Sequence, residues 1–429
     1  MKQRPSVLVI FLTVFIDLIG FGIVVPLVPI YSRHYGAGGW MIGAIIASYS
    51  AMQFLFSPVW GRLSDRHGRR PILLLSTAGS SCSYLLFAFA SGLENHIAAL
   101  TLLLLSRLFA GVCGGNITVA QAYIADITPP EDRSRRMGLI GMAFGLGFIF
   151  GPAIGGVSLK LLGETGPGWA AAALCAANFL LAFFILVESL KPGSEHVRGR
   201  PHLEQWRHSL AQPRIGLLIV IFFLATFAFS CFESTLPLLV SDNFHLEIAK
   251  DEAKPAMTVI WLFLVCGIIG AIVQGGAIGP LVRRFGEPRL IGMSLLLTGV
   301  SLALLPFING NGQLLWSAIF LGKAWAWVKM LLVLALLSVG TSLTRPPLFG
   351  LLSNLTAAHE QGVTIGVAQS AGSLARILGP VFAATLYYAC VPPLPYLICA
   401  AISVAAGALA LRRLRRTHPL PATNAAPVA

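Results

Sequence analysis

Asp17 stands inside the first apolar run of the chain, FIDLIGFGIVVPLVPIY, residues 15–31. Counted from residue 6, where the apolar span begins, it lies about eleven residues in, or about 16 Å deep at 1.5 Å per helical residue. Burial favours the neutral form of such a carboxylate and a nearby arginine favours the charged one. A group balanced between the two can gain and lose a proton as its access alternates between two sides. It could also pair with a cationic solute, or simply tie two helices together. Arg107 lies about ten residues into a later apolar run, where an arginine costs roughly 2.5–3.5 kcal/mol. It cannot shed its proton, so it has to face protein, water or a counter-charge. Glu233, in FSCFESTLP, is a second acid within an apolar run, placed toward its outer end, and Arg376 stands in SLARILGP. Gln53, Asn116, Gln121, Gln274 and Gln369 are able to line a cavity or to tie helices. Arg345, near the end of its run, is expected to snorkel inward.

Two glycine patterns accompany these residues. GRLSDRHGRRP (61–71) reads as a tight loop in which Gly61 and Gly68 allow close backbone approach. Asp65 is an acid among arginines there, able to accept hydrogen bonds from the N-terminus of a neighbouring helix, whose dipole favours an anion. In GLGFIFGPAIGG (145–156) the glycines recur near every fourth residue, the spacing of a smooth helix face for close packing. Pro152 removes a backbone hydrogen bond within that run and favours a kink.

The elements that must position these groups follow from composition. The 429 residues are 56% hydrophobic and 11% charged, with a mean hydropathy of +0.79, against roughly a quarter charged in soluble domains. Such a chain belongs in a bilayer. Twelve apolar runs are long enough to span it: 6–31, 39–60, 71–91, 97–123, 137–162, 168–188, 215–240, 256–279, 289–308, 329–352, 362–389 and 393–412. All exceed strand length, so the fold class is an all-α integral membrane protein. With the N-terminus inside, 21 lysines and arginines fall in inside segments and 6 in outside ones, which puts both termini in the cytoplasm. The net charge of +13 is thus a record of topology, and nucleic-acid binding is not expected. The seven cysteines read as small packing residues, and the nine histidines all fall in connectors or tails. The basic N-terminus reads as leading into a retained first span rather than a signal peptide.

The polar stretch 191–214 divides the chain into six spans and six spans, giving an N-terminal bundle (1–190), a cytoplasmic linker (191–214) with room for a small amphipathic helix around Trp206, a C-terminal bundle (215–416) and a disordered tail (417–429). The stretch 309–329, with Trp316, Trp325 and Trp327, reads as a segment at the outer interface or an outward extension of span ten. The halves echo each other: GRLSDRHG (61–68) is answered by GPLVRRFG (279–286), and GLGFIFGP (145–152) by SLARILGP (373–380). Two such halves are the parallel repeats of one transporter architecture, with the site between them.

GRLSDRHGRRP, RLFAGVCGGN (107–116) and GLGFIFGPAIGG together resemble the signatures of the major facilitator superfamily, the last of them that of the drug:H+ antiporters with twelve spans. DLIGFGIVVPLVP and ADITPPEDRSRRMGLIGMAFGLGFIFGPAIGG are similar to the tetracycline-efflux group. In that group an aspartate precedes the tyrosine of span three; here Ser83 precedes Tyr84, so tetracycline is not carried over as the substrate. The second-half loop has Arg283 in place of Asp65. The resemblance implies twelve helices as two six-helix pseudo-repeats. It implies a cytoplasmic gate of Gly61, Asp65, Arg66, Gly68, Arg69 and Asp126, with Asp65 docking on span eleven. It also implies proton coupling through Asp17 and Arg107, and an antiporter motif of Gly147, Gly151, Pro152, Gly155 and Gly156. Gln53, Asn116, Gln121, Glu233, Gln369 and Arg376 are the candidate cavity residues. The expected function is proton-coupled efflux of small amphipathic or drug-like molecules from a bacterial inner membrane, by a monomer with no cofactor beyond the coupling proton. The alternative is a facilitator or proton symporter importing a metabolite. No His, Cys or acid cluster at membrane depth points to an enzyme.

Overall fold

The computed structural model describes residues 5–37, 39–190, 202–245, 253–310, 325–357 and 360–414. Linker residues 191–201, most of the 309–329 segment and the tail 417–429 lie outside the described residues. The first half contains α1 (Val7–Val24), α2 (Leu27–His34), α3 (Gly39–His67), α4 (Arg69–Ala90), α5 (His96–Cys113), α6 (Asn116–Ile127), α7 (Arg133–Leu162) and α8 (Gly166–Ile185). After α9 (His202–Ala211) come α10 (Pro213–Asn243), α11 (Ala253–Ile272), α12 (Ile278–Phe285), α13 (Glu287–Leu304), α14 (Trp325–Leu355), α15 (Gln361–Ala389) and α16 (Leu394–Arg413). Among the described residues, eleven helical stretches are long and apolar enough to cross a membrane. The twelfth, α15, has 29 residues but carries Gln369, Ser370, Ser373 and Arg376, which lower its hydropathy.

Three spans expected as continuous helices are broken. The first divides at Val25–Pro26, where proline has no N–H for the helix and its ring crowds the preceding turn. The fourth divides at Gly114–Gly115 into α5 and α6, and the eighth contains a π-helical turn at Val273–Ala277 between α11 and α12. The expected loop 61–68 is helical through His67; only Gly68, at φ 99°, ends α3, and Gly286, at φ 75°, ends α12 in the same way. Trp325 and Trp327 belong to α14, so the helix extends outward there, and Trp327 stacks on Phe244 at 3.9 Å between ring centroids. The small helix around Trp206 is α9, whose indole packs against Phe54 at 5.9 Å.

The halves use the same packing scheme. In the first, α1 packs on α7, α4 on both α8 and α5, and α3 on α5. In the second, α10 packs on α15, α13 on both α16 and α14, and α11 on α14. Across the interface, α3 runs along α15, and α7 along α14 and α11. Ile10 and Leu414, near the two ends of the described chain, share one apolar core, so both ends lie on one face, here the terminal face. That core runs through both halves, from Val14 and Ile124 to Phe222 and Ile365. Toward the opposite face it gives way to two separate cores, one around Tyr84, Phe87 and Ala171 and one around Phe232, Leu239 and Tyr396. The halves therefore join at the terminal face and part toward the other.

Candidate functional site

Asp17 sits on α1, 8% exposed, facing the break between α5 and α6. A helix break strands carbonyls that need other donors. Here three side chains supply them. The Trp60 indole donates to the Val112 carbonyl at 2.5 Å, the Ser76 hydroxyl to that of Cys113, and the Gln53 amide to that of Gly114 at 3.3 Å. The chain then restarts as α6, and its first residue, Asn116, donates its side-chain amide to Asp17 Oδ2. Asn116 was expected to line the cavity; it is 2% exposed and serves instead as the partner of the carboxylate. Cys175 Sγ lies 3.7 Å from Asp17 Oδ1, and Ser80 is a further hydrogen-bonding neighbour. Among the described residues no arginine or lysine is bonded to Asp17.

The glycine stripe of α7 lies directly against α1. A Cβ on Gly151 would come within 2.5 Å of the Gly22 carbonyl carbon, and one on Gly147 within 2.9 Å of Leu18. Gly155 faces Ile23 on the same stripe. Gly156 does not join it: a Cβ there meets nothing within 4 Å, because the residue is rotated about 100° from Gly155 around the helix. Pro152 lies inside the unbroken helix α7.

Arg107 is 2% exposed and has no counter-charge among the described residues. Its guanidinium lies over Tyr84 and Phe87, at 5.8 and 5.7 Å from the ring centroids, and its Nε and Nη2 have no hydrogen-bond partner. It therefore sits in an aromatic box on α4 and α5 rather than in an ion pair with Asp17. Tyr49 of α3 lies in the electrostatic reach of Asp17, Arg107 and Arg376 and accepts a hydrogen bond from the Gln53 amide at 3.0 Å.

Several expected cavity residues join the halves. The Arg376 guanidinium donates to Gln53 Oε1 at 2.8 Å and Ser373 Oγ at 2.9 Å, and the Gln369 amide donates to Gln121 Oε1 at 2.9 Å. Glu233 is exposed, yet its charged neighbours are Arg376 and Arg345 on the inner faces of α15 and α14, so it faces the cleft. Arg345 does not snorkel to the terminal face; its guanidinium lies over the Phe222 ring at 5.4 Å, within the second half. Gln274, on the π-helical turn, instead packs against Gly138 and Gly141 of α7.

Asp65 closes the terminal face. Its two carboxylate oxygens accept the backbone N–H groups of Gly362 and Val363, at 3.0 and 2.9 Å, at the start of α15, which Glu360 does not cap. Arg69, wholly buried, donates to Asp65 at 2.5 Å and to Asp126 at 3.0 Å. Gly61 and Gly362 let the two helices touch, since a Cβ on either would strike backbone of the other. Arg66 is exposed and makes no hydrogen bond or ion pair among the described residues. Glu188, absent from the sequence reading, accepts the N–H groups of Arg69 and Arg70 at 2.8 and 3.0 Å and caps α4 beyond Gly68. The second half closes with its charges moved. Arg283 pairs with Asp132 at 3.6 Å, and Glu287, one residue beyond Gly286, receives the Ser134 hydroxyl at the start of α7. Arg133 donates to the Ser353 carbonyl at 3.1 Å and to Asn354 Oδ1 at 3.0 Å.

The family model described as Major Facilitator Superfamily matches residues 10–328 and 278–428. The chain is 31% identical over 395 residues to the tetracycline resistance protein, class C, of Escherichia coli, covering 91% of each. It is 28% identical over 392 residues to multidrug resistance protein 2 of Bacillus subtilis (strain 168), covering 90% of each. The crystal structure of the human organic anion transporter MFSD10 (TETRAN) matches with a TM-score of 0.78 at 26% identity, over 96% of this chain and 100% of that one. A bacterial homologue of the iron transporter ferroportin, in an outward-facing state, shares the fold with a TM-score of 0.69 at 16% identity, over 95% and 97% of the two chains. With two repeats that pack alike and these matches over most of its length, the chain belongs to the major facilitator superfamily and is a membrane transporter rather than an enzyme.

Proposed function

We propose that the chain is a proton-coupled efflux transporter of small amphipathic molecules, working by alternating access as a monomer in a bacterial inner membrane. The positive-inside bias makes the terminal face cytoplasmic. The shared core and the Asp65 closure then correspond to a cytoplasm-closed, outward-facing state. The observation that carries the coupling is Asp17: a buried carboxylate held by neutral donors, on a helix whose other face rests on the glycine stripe of α7. Proton uptake from outside removes the charge that α1 holds against the broken fourth span. Release inside restores it, and the smooth α1–α7 contact lets the helices readjust without a steric barrier. The similarity to tetracycline and multidrug resistance proteins supports export.

The test is an Asp17→Asn variant in proteoliposomes. Asparagine keeps the side chain's size but has no group that ionises at working pH. Exchange of substrate across the membrane without a gradient should persist, while accumulation driven by a pH gradient should be lost. Gradient-driven accumulation that survives the substitution would remove Asp17 from the coupling step and leave Glu233 as the acid to test. Uptake toward the cytoplasmic face driven by the same gradient would favour the importing alternative.

A further inference from the structure

The third and sixth spans of each half pack together, α4 on α8 and α13 on α16, and their ends at the terminal face are closed differently. In the first half, Glu188, just beyond α8, accepts the N–H groups of Arg69 and Arg70 at the start of α4. The Arg70 guanidinium donates back to the Phe183 carbonyl of α8 at 2.7 Å. The second half meets the same corner with cations alone. Arg289 stands in the first turn of α13, and α16 ends in Arg412 and Arg413. All three are exposed, and among the described residues none makes a hydrogen bond or ion pair. The acid at that end of α13, Glu287, receives the Ser134 hydroxyl of α7. No aspartate or glutamate follows Glu360 in the sequence, whereas Arg415 and Arg416 extend the basic run.

The packing fixes how the three arginines lie. A Cβ on Gly292 would strike Leu411, and one on Gly299 would strike Val404. That antiparallel register brings Arg289 level with the last turn of α16. Because glycines form the seam, a groove runs along it, with the exposed Met293, Val300 and Val404 at its edges. The eleven residues from Arg289 to Val300 span about 16 Å at 1.5 Å per residue, close to the ~15 Å of one leaflet's hydrocarbon. A positive-inside bias places arginines at this face. It does not by itself place them at the mouth of an apolar groove, in the corner that lacks its counterpart's acid.

We propose that this corner holds an anionic phospholipid from the leaflet at the terminal face. Its phosphate lies among Arg289, Arg412 and Arg413, whose forked donors match phosphate oxygens. An acyl chain follows the α13–α16 groove. The membrane thus supplies to the second half the anion that Glu188 supplies to the first.

The test is native mass spectrometry of the full chain, released from dodecyl maltoside micelles holding equal amounts of dioleoylphosphatidylglycerol and dioleoylphosphatidylcholine. The parent should keep phosphatidylglycerol in at least about fivefold preference, the factor that one basic residue near an anionic surface contributes. Arg289→Gln, Arg412→Gln and Arg413→Gln made together should abolish the preference, and lysine at the same three positions should keep it. A second triple variant, Arg135→Gln, Arg207→Gln and Arg214→Gln, removes the same charge from exposed positions elsewhere and should also keep it. Millimolar sn-glycerol 3-phosphate, the headgroup anion without chains, should not displace the lipid. Equal retention of the two lipids by the parent, equal losses in the two glutamine triples, or displacement by glycerol phosphate would overturn the assignment. None of these readouts involves transport, so failure of proton coupling and failure of this proposal are told apart.

Discussion

Replacing Asp65 by asparagine is expected to open the terminal face. The aspartate gives one oxygen to each of two backbone N–H groups on α15, across the interface between the halves. An amide keeps one acceptor and turns an –NH2 toward the second donor. A hydrogen bond to a charged group contributes about 1.5–3 kcal/mol. Losing one such bond and weakening the other comes to about 2–4 kcal/mol. That shifts the closed-to-open ratio by about 30- to 700-fold, at about 1.4 kcal/mol per factor of ten. The substitution also removes one of the two anions that face buried Arg69, leaving Asp126. The shift can be read as a distance between spin labels at Arg66→Cys and Ala357→Cys, exposed positions on α3 and just beyond α14. Arg66 makes no hydrogen bond or ion pair among the described residues, so labelling it leaves the closure's own bonds intact. The variant should populate a longer distance that is rare in the parent. Identical distributions in parent and variant, both folded, would refute the idea that Asp65 holds the halves together.

Gly151→Ala should cost about 1–3 kcal/mol, the range for overpacking, because its Cβ meets backbone of α1 and not a flexible side chain; Gly156→Ala, facing open space, should melt with the parent in the same thermal scan. Glu188→Ala removes the acceptor of two N–H groups at the start of α4 and should lower stability by about 0.5–2 kcal/mol, the range for a lost helix cap, measured as a drop in melting temperature. Trp60→Phe keeps an aromatic side chain but removes the indole N–H and strands the Val112 carbonyl, a loss of about 1–3 kcal/mol that should appear as faster hydrogen exchange at the α5–α6 break. Glu287→Gln combined with Asp65→Asn should open the terminal face by the sum of the single effects in the same distance measurement, since the two closures share no partner.

The spans were legible because the bilayer demands length and apolarity, and the pseudo-repeat because the loop motifs repeat at matching places. The breaks were less legible. Gly114–Gly115 sits inside a run long and apolar enough to read as one span, and only the adjacent glycines hint that the helix stops; the donors that stabilise the break come from α3 and α4, which no local pattern reveals. Asp17 was found as an anomaly of charge, but Asn116 was assigned to the cavity because a polar residue on a helix gives no sign of the direction it faces. Arg345 was misplaced for a related reason. Its distance from the helix end invites snorkelling, and only tertiary packing puts Phe222 beneath it. Glu188 closes the run assigned to span six and drew no reading of its own; its role depends on the approach of α8 to α4, and its nearest sequence signal is Gly68, whose backbone leaves the following amides without a cap.

The partners of Asp17 and the glycines behind it all fall before residue 190. A first half exchanged whole between relatives would therefore carry the carboxylate, the amide that holds it and the stripe its helix leans on as one inherited block, whereas a crossover inside that half would separate them. Recombinants that still fold should have their junctions between the halves rather than within the first.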